Sequence, residues 1–239
     1  VSTQSVATLS ELRTLARQYA DMVNSQFVTD DEFNSYLNLA YFELYDILIQ
    51  KYGDDYYATS YQFTTDGTTQ QYPLPSDFYK FLGLDLQLSP SSPQNGFITI
   101  RPFMFGDRNR YSIPNMQTFA GITNLRYRVF SNTLFLTPIP AGNQTLKIWY
   151  VPKLNELTTD ASTVDGISGW QDYLPLEAAI KALIKEETDV SMLMARKQAL
   201  ISRIEAAAEN RDAGNPQVVT DSQYTDFWTP NTGYWNGAF

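Results

Sequence analysis

The chain has 239 residues, 17 basic and 26 acidic side chains and a net charge of −9, with 16 Tyr, 14 Phe and 4 Trp but no Cys and no His. A fold of this length buries roughly 70–75% of its unfolded surface without covalent staples. The missing Cys and His exclude Ser-His-Asp and Cys-His catalysis, redox thiols and the usual zinc sites, and the acidic balance argues against a protein that coats nucleic-acid phosphates.

Val1 to Val6 shows no basic stretch followed by an apolar one, so no secretory signal is expected. No apolar run approaches the ~20 residues of a membrane span. The longest apolar-rich stretch, Leu37 to Ile49, is interrupted by Asn38, Glu43 and Asp46 and reads as an amphipathic helix.

In chain order, Thr8-Leu9-Ser10-Glu11 is a capping box, followed by Leu9, Leu12, Leu15, Tyr19, Met22 and Val23 at helical spacing. Thr29 to Glu32 repeats the device, and Phe33, Leu37, Ala40, Tyr41, Leu44 and Leu48 form the stripe of a second helix ending near Gly53. The acids Asp30, Asp31 and Glu32 lie in its first turn, where they complement the helix dipole.

A β region follows. Tyr57 to Thr64 and Thr69 to Leu74 read as a hairpin around Asp66-Gly67, which tolerates positive φ. Further strands are expected over Phe81 to Leu88, Phe97 to Ile100 and Leu146 to Val151, with a second hairpin of Leu125 to Phe130 and Thr133 to Thr137 around Ser131-Asn132. Nine prolines between Pro73 and Pro152 keep the strands short, because proline cannot donate to an interior ladder.

After a polar linker, Asn155 to Gly166, a third helix is expected with Leu176, Ile180, Leu183 and Ile184 inward and Glu177, Lys181 and Lys185 outward. Asp189 caps a fourth helix, with Val190, Leu193, Met194, Leu200, Ile201, Ile204 and Ala208 on its stripe and Arg211 at its end. The expected fold is α+β: a four-helix bundle with an inserted antiparallel β region and an extended C-terminal arm. The corresponding divisions are 1–54 and 166–211 for the helices, 55–165 for the β region and linker, and 212–239 for the arm.

Beyond Arg211 there is no Lys or Arg, and Tyr224, Phe227, Trp228, Tyr234, Trp235 and Phe239 stand among Thr, Asn, Asp and Gly. Such a segment either folds back over its own body or is a docking arm, since Tyr and Trp bury large areas at low entropic cost. Arg101, Asp107, Arg108 and Arg110 form the densest polar cluster of the β region. They read either as a solvated loop with internal Arg–Asp pairs or as a subunit interface using arginine forks. Arg126 and Arg128 alternate on one strand face. Phosphate loops and calcium loops are absent from the sequence, and no cofactor or metal is expected. Two other function classes compete with a structural role. One is a carbohydrate- or receptor-binding module using Trp149, Trp170, Trp228 and Trp235. The other is a glycosidase, which needs two carboxylates about 5–10 Å apart; no pair in the sequence stands out, and alanine changes at Asp54 and Asp107 would test it.

Several segments carry a resemblance through their order and spacing. They are Lys51-Tyr52-Gly53-Asp54-Asp55-Tyr56-Tyr57, Leu74-Pro75-Ser76-Asp77-Phe78-Tyr79-Lys80 and Ile100-Arg101-Pro102-Phe103-Met104-Phe105-Gly106-Asp107-Arg108-Asn109. Leu134-Phe135-Leu136-Thr137-Pro138-Ile139-Pro140, Trp149-Tyr150-Val151-Pro152, Lys185-Glu186-Glu187-Thr188-Asp189 and Arg211-Asp212-Ala213-Gly214-Asn215-Pro216 follow. From Leu9 to about Asp221 the chain resembles the head-to-tail adaptor (connector) proteins of tailed bacteriophages. The resemblance implies a non-enzymatic virion protein of the head–tail junction, assembled in the host cytoplasm, with a four-helix core and an inserted β domain. It further implies a dodecameric homo-oligomeric ring that seats on the portal protein, receives tail or nozzle proteins and lets genomic DNA pass. Arg211, Asp212, Gly214 and Pro216 would be the exit of an arm toward the portal, and the run from Tyr224 to Phe239 departs from the family pattern.

Overall fold

The structure, a computed structural model, describes residues 7–88, 96–110, 118–119, 122–123, 125–165, 167 and 169–209. Both N-terminal helices start at reciprocal caps. Glu11 donates its backbone N–H to Thr8 Oγ1 at 3.3 Å and accepts the Thr8 N–H at 2.9 Å, opening α1 (Leu9–Tyr19). Thr29 and Glu32 repeat these bonds at the head of α2 (Asp30–Tyr52), which satisfies donors that a helix start leaves open. The expected stripe of α2 is buried along its whole length, and the helix stops at Gly53, whose φ of +89° favours glycine.

Arg17 fixes the turn between these helices. Its guanidinium donates to Asp30 Oδ1 at 2.7 Å and to the carbonyls of Met22, Ser25 and Val28 at 3.0–3.1 Å, and lies 4.7 Å over the Phe33 ring. Replacing Arg17 with Met removes charge-assisted bonds and leaves three carbonyls without it. A loss of about 2–3 kcal/mol is expected, read as a lower thermal midpoint with unchanged helical signal.

The third helix, α3 (Tyr173–Lys185), is buried at ten positions, including Glu177. The fourth, α4 (Ser191–Glu209), starts where Asp189 accepts the Ser191 N–H at 3.0 Å and buries Leu200 and Ile204. Its partner α2 runs parallel to it: Lys197 meets Glu43 at 2.8 Å, and eight residues further along both helices Glu205 meets Lys51 at 2.8 Å. Leu157, Val164 and Ile167 of the connecting strap close the helical core.

Seven strands form one curled mixed sheet: β1 (Thr59–Thr64), β2 (Gln71–Pro73), β3 (Phe78–Gln87), β4 (Phe97–Pro102), β7 (Arg126–Phe130), β8 (Thr133–Thr137) and β9 (Thr145–Pro152). Their spatial order is β1-β9-β3-β4-β7-β8-β2, and β5 (Thr118–Phe119) and β6 (Ile122–Thr123) pair separately. One sheet face holds its own core, centred on Leu84, Ile100, Leu134, Leu136, Leu146 and Ile148. Tyr45, Ile49 and Val151 form a third, smaller cluster that packs β9 against α2.

The expected fold class needs correction. The β region is a seven-stranded half-barrel with its own core rather than a small antiparallel insert in a four-helix bundle, and β4 and β7 pair in parallel. The helices are also unequal. The 11-residue α1 packs on α2 and α3, while α4 lies against another part of the same two. Ala178, Ala179 and Ala182 give α3 a slim surface that its neighbours approach closely, so it is buried on several sides. Glu177 therefore lies inside, and Ile184, expected inside, is exposed.

The hairpin expected around Asp66-Gly67 also does not form. Its two strands occupy opposite edges of the sheet, β1 pairing with β9 and β2 with β8. Asp66 still makes the turn, accepting the N–H groups of Thr68 and Thr69 at 2.9 and 2.8 Å. Gly67, with φ +82°, sits so close to Gly142 that a Cβ would lie 3.0 Å from its nitrogen. The turn thus docks on another loop instead of closing a hairpin. The β7–β8 hairpin forms as expected, with Ser131 at φ +51°.

Candidate functional site

The ends of β4 and β7 build an arginine–phenylalanine cluster. Pro102 ends β4, and the chain continues through Phe103 and Met104 into a 3₁₀ turn at Phe105–Asp107. Phe103 is buried against Phe135 at 6.1 Å, whereas Met104 and Phe105 are exposed by 76% and 54%. Phe105 and Phe130 meet edge to face at 6.1 Å, and Phe130 meets Phe135 at 5.8 Å. Arg108 lies 4.7 Å over the Phe105 ring and Arg128 5.9 Å over it, each also donating to a backbone carbonyl, of Phe105 at 3.2 Å and Phe103 at 3.1 Å. Arg101 stands opposite Arg126 in the parallel pair.

Five of the ten arginines fall between residues 96 and 138, where Asp107 is the single acid, so a surplus of positive charge sits inside a chain of net −9. Arg108 and Arg128 hold rings and carbonyls, and among the described residues no ion pair joins Asp107 to these arginines. The expected set of Arg101, Asp107, Arg108 and Arg110 is thus partly brought together. Arg108 is at the centre, Arg101 is exposed on β4 opposite Arg126, Arg110 is exposed, and the Asp107 carbonyl accepts the Arg110 N–H at 2.9 Å. Phe103, Phe105, Phe130, Phe135 and Arg128 complete the cluster. The Pro-Phe-Met-Phe run signalled an apolar loop, but its pairing with β7 is a long-range feature. Phe103→Ala is expected to lose about 3 kcal/mol, because it empties a buried site, and Phe105→Ala under about 1 kcal/mol; denaturant titration of both separates the support from the display surface.

A second constellation locks α2 to its neighbours. Glu43 Oε1 accepts from the Tyr173 hydroxyl and from Lys197 Nζ, both at 2.8 Å, and Lys197 lies 2.9 Å from Glu177 Oε2. Lys181 also pairs with Glu177. Burial raises the Glu43 carboxyl, but hydrogen bonds from Lys197 and Tyr173 outweigh it and leave it below the ordinary glutamate value. Burial likewise lowers Lys197, yet its bonds to Glu43 and Glu177 hold it above the ordinary lysine value.

At successive turns of α2, three polar side chains, Asn38, Tyr41 and Tyr45, hold the strap that returns from the sheet. Asn38 donates to the Leu157 carbonyl at 3.0 Å and accepts its N–H at 2.8 Å. The Tyr41 hydroxyl donates to the Asp165 carbonyl at 2.6 Å and accepts its N–H at 2.9 Å, and Tyr45 donates to the Pro152 carbonyl at 2.8 Å. Burial pushes the Tyr45 hydroxyl up to about 12, so it stays a donor. Asp46 accepts from Tyr79 of β3 at 2.5 Å. Each interruption of the apolar run Leu37 to Ile49 is therefore a clamp, a role not assigned from the sequence.

The other expected residues are placed as follows. Arg211, Asp212, Gly214, Pro216, Tyr224, Phe227, Trp228, Tyr234, Trp235 and Phe239 lie outside the described residues. Trp149 donates its indole N–H to Asp85 at 2.7 Å, with Lys147 5.3 Å over its ring, and Trp170 packs on the helical core under Arg203 at 5.7 Å. Asp54 is bound to Lys80 at 2.7 Å. Among the described residues no helix is long and apolar enough to cross a membrane.

Comparison with known proteins gives one family. No curated protein matches the chain. The family model described as SU10 adaptor protein matches residues 7–221, from the residues just before α1 through both cores, and stops before Tyr224. The chain belongs to the SU10 adaptor protein family, a family of phage head-to-tail adaptors.

Proposed function

We propose that the protein is a structural adaptor of a tailed-phage virion that forms a homo-oligomeric ring, a dodecamer, between the portal protein and tail or nozzle proteins. Genomic DNA passes through its lumen. The observation that carries this reading is the family match over both cores and all four helices. The charge distribution supports it: a net charge of −9 suits a channel for a sliding polyanion, because phosphate contacts produce affinity. The clamps between α2, the strap and β3 tie the helices to the sheet, which suits a joint between head and tail.

The reading includes no catalytic role. Arg211, Asp212, Gly214 and Pro216 form the root of an arm that leaves the body toward the portal, with the aromatic run beyond it as anchor. Imaging purified virions with the subunit labelled, alongside native mass spectrometry of the protein mixed with portal, tests the proposal. Label at the portal vertex and a closed ring on the portal are expected; label absent from that vertex overturns it.

A further inference from the structure

The arginine–phenylalanine cluster and the segment after α4 are complementary in charge and in chemistry. Residues 212–239 hold three aspartates, six aromatics and no Lys or Arg, while the cluster holds arginines and exposed phenylalanines around a single aspartate. Arginine binds carboxylates through a planar fork and stacks on Tyr and Trp faces, so one surface satisfies both residue types of the segment. We propose that the part of this segment beyond that root, residues 217–239 of one copy, docks on the arginine–phenylalanine cluster of the next copy in the ring. This rests on the ring reading and answers what the aromatic run holds once the arm's root has left the body.

Topology puts the two surfaces within reach. The parallel α2 and α4 end side by side, where Lys51 pairs with Glu205, and α2 there passes through Gly53 into the sheet. The described part of α4 therefore ends at the sheet end of the helices. Strand β3 turns its N-terminal end toward α2, since Tyr79 holds Asp46 and Lys80 holds Asp54. Strand β4 is antiparallel to β3, so Pro102 and the cluster beyond it point to that same end. A segment of 28 residues spans at most about 90 Å, ample for a neighbouring subunit. Donor and acceptor are different parts of the surface, so the contact is heterologous, the kind that closes a ring by rotation. Met104 and Phe105 are the exposed apolar anchors available to Trp228 and Trp235, with Arg101 and Arg108 available to Asp221 and Asp226.

Because the chain has no cysteine, introduced thiols are unique. Full-length chains carrying Thr229→Cys are mixed with full-length chains carrying Met104→Cys and oxidised. One variant carries a mass tag, so the mixed disulfide runs at the sum of the two masses without reductant, apart from the homodisulfides of either variant. That species is expected to dominate over pairing of Thr229→Cys chains with a control, Met192→Cys on the exposed face of α4. It should fall about tenfold when the Met104→Cys chain also carries Arg101→Glu and Arg108→Glu, the effect of losing about 1.4 kcal/mol. It should return when the Thr229→Cys chain carries Asp221→Lys and Asp226→Lys. Cross-linking no greater than the control, no response to charge, or only an intrachain disulfide when both cysteines share one chain overturns the proposal, as does a cluster that retains duplex DNA without cross-linking. Native mass of the same samples separates the two readings. Closed rings without the cross-link remove the docking and keep the ring; the cross-link in chains that pair but never close a ring keeps the docking and removes the ring.

Discussion

Lys197→Met is expected to lower stability by about 3 kcal/mol, a drop of about 6–12 °C in melting temperature for a chain of this size. The cause is the partner left behind. Glu177 is only 8% exposed at its side chain and has Lys197 and Lys181 as its cations. Removing Lys197 also strips Glu43 of one of its two 2.8 Å bonds. The double change Lys197→Met with Glu177→Leu should recover most of the loss, because an apolar pair of similar volume carries no desolvation penalty. A cycle of the two single and one double variants measures the coupling; equal losses in the double and in Lys197→Met alone would contradict the account.

The same network sets a pH response. Glu43 is depressed in the folded state relative to its ordinary value of 4.5. Its contribution is therefore complete above about 4.5, declines as pH falls toward the depressed folded value, and is absent below it. In Glu43→Gln the acid limb of the stability profile should flatten in that window while the neutral region falls.

Asn38→Leu is the second large effect, expected at about 2–4 kcal/mol. The substitution is nearly isosteric but leaves the Leu157 N–H and carbonyl buried without their partner, which costs the desolvation of both groups. The loss is local to the strap. Hydrogen exchange should accelerate over residues 153–165, between the persisting clamps of Tyr45 on Pro152 and Tyr41 on Asp165, before α2 itself is affected. Uniform acceleration across the helices would point to a core defect instead.

Much of the helical layer could be read from the chain because its determinants are local. Thr8 with Glu11, Thr29 with Glu32, and Asp189 with Ser191 are caps spanning two or three residues, and each forms. The buried stripe of α2 follows from period alone. Strands end at Pro73, Pro102 and Pro152 for the equally local reason that proline breaks a ladder. Asn38, Glu43 and Asp46 were visible as polar interruptions of an apolar run, yet their partners, Leu157, Tyr173 with Lys197, and Tyr79, lie on other elements. Polarity at a buried position signals a bond to be made; it does not say with what.

The candidate site shows the same division. Arg101, Asp107, Arg108 and Arg110 stand out by local density, but Arg128 and Phe130 join them only because β7 lies beside β4 in parallel. Likewise Asp66-Gly67 makes a turn by its own chemistry, while the choice between β8 and β9 as strand partners rests on contacts more than sixty residues apart, such as Thr59 with Tyr150. By itself, the sequence determined an acidic, cysteine-free and histidine-free chain with capped helices, short proline-bounded strands, a cation-free aromatic tail and the ordered segments of an adaptor. The tertiary structure decided that the strands form one curled seven-stranded sheet, that α3 is central and carries a buried glutamate, and that scattered arginines and phenylalanines make one surface. Capping and periodicity act within a turn or a strand, whereas strand order and helix burial are settled by which distant apolar faces meet.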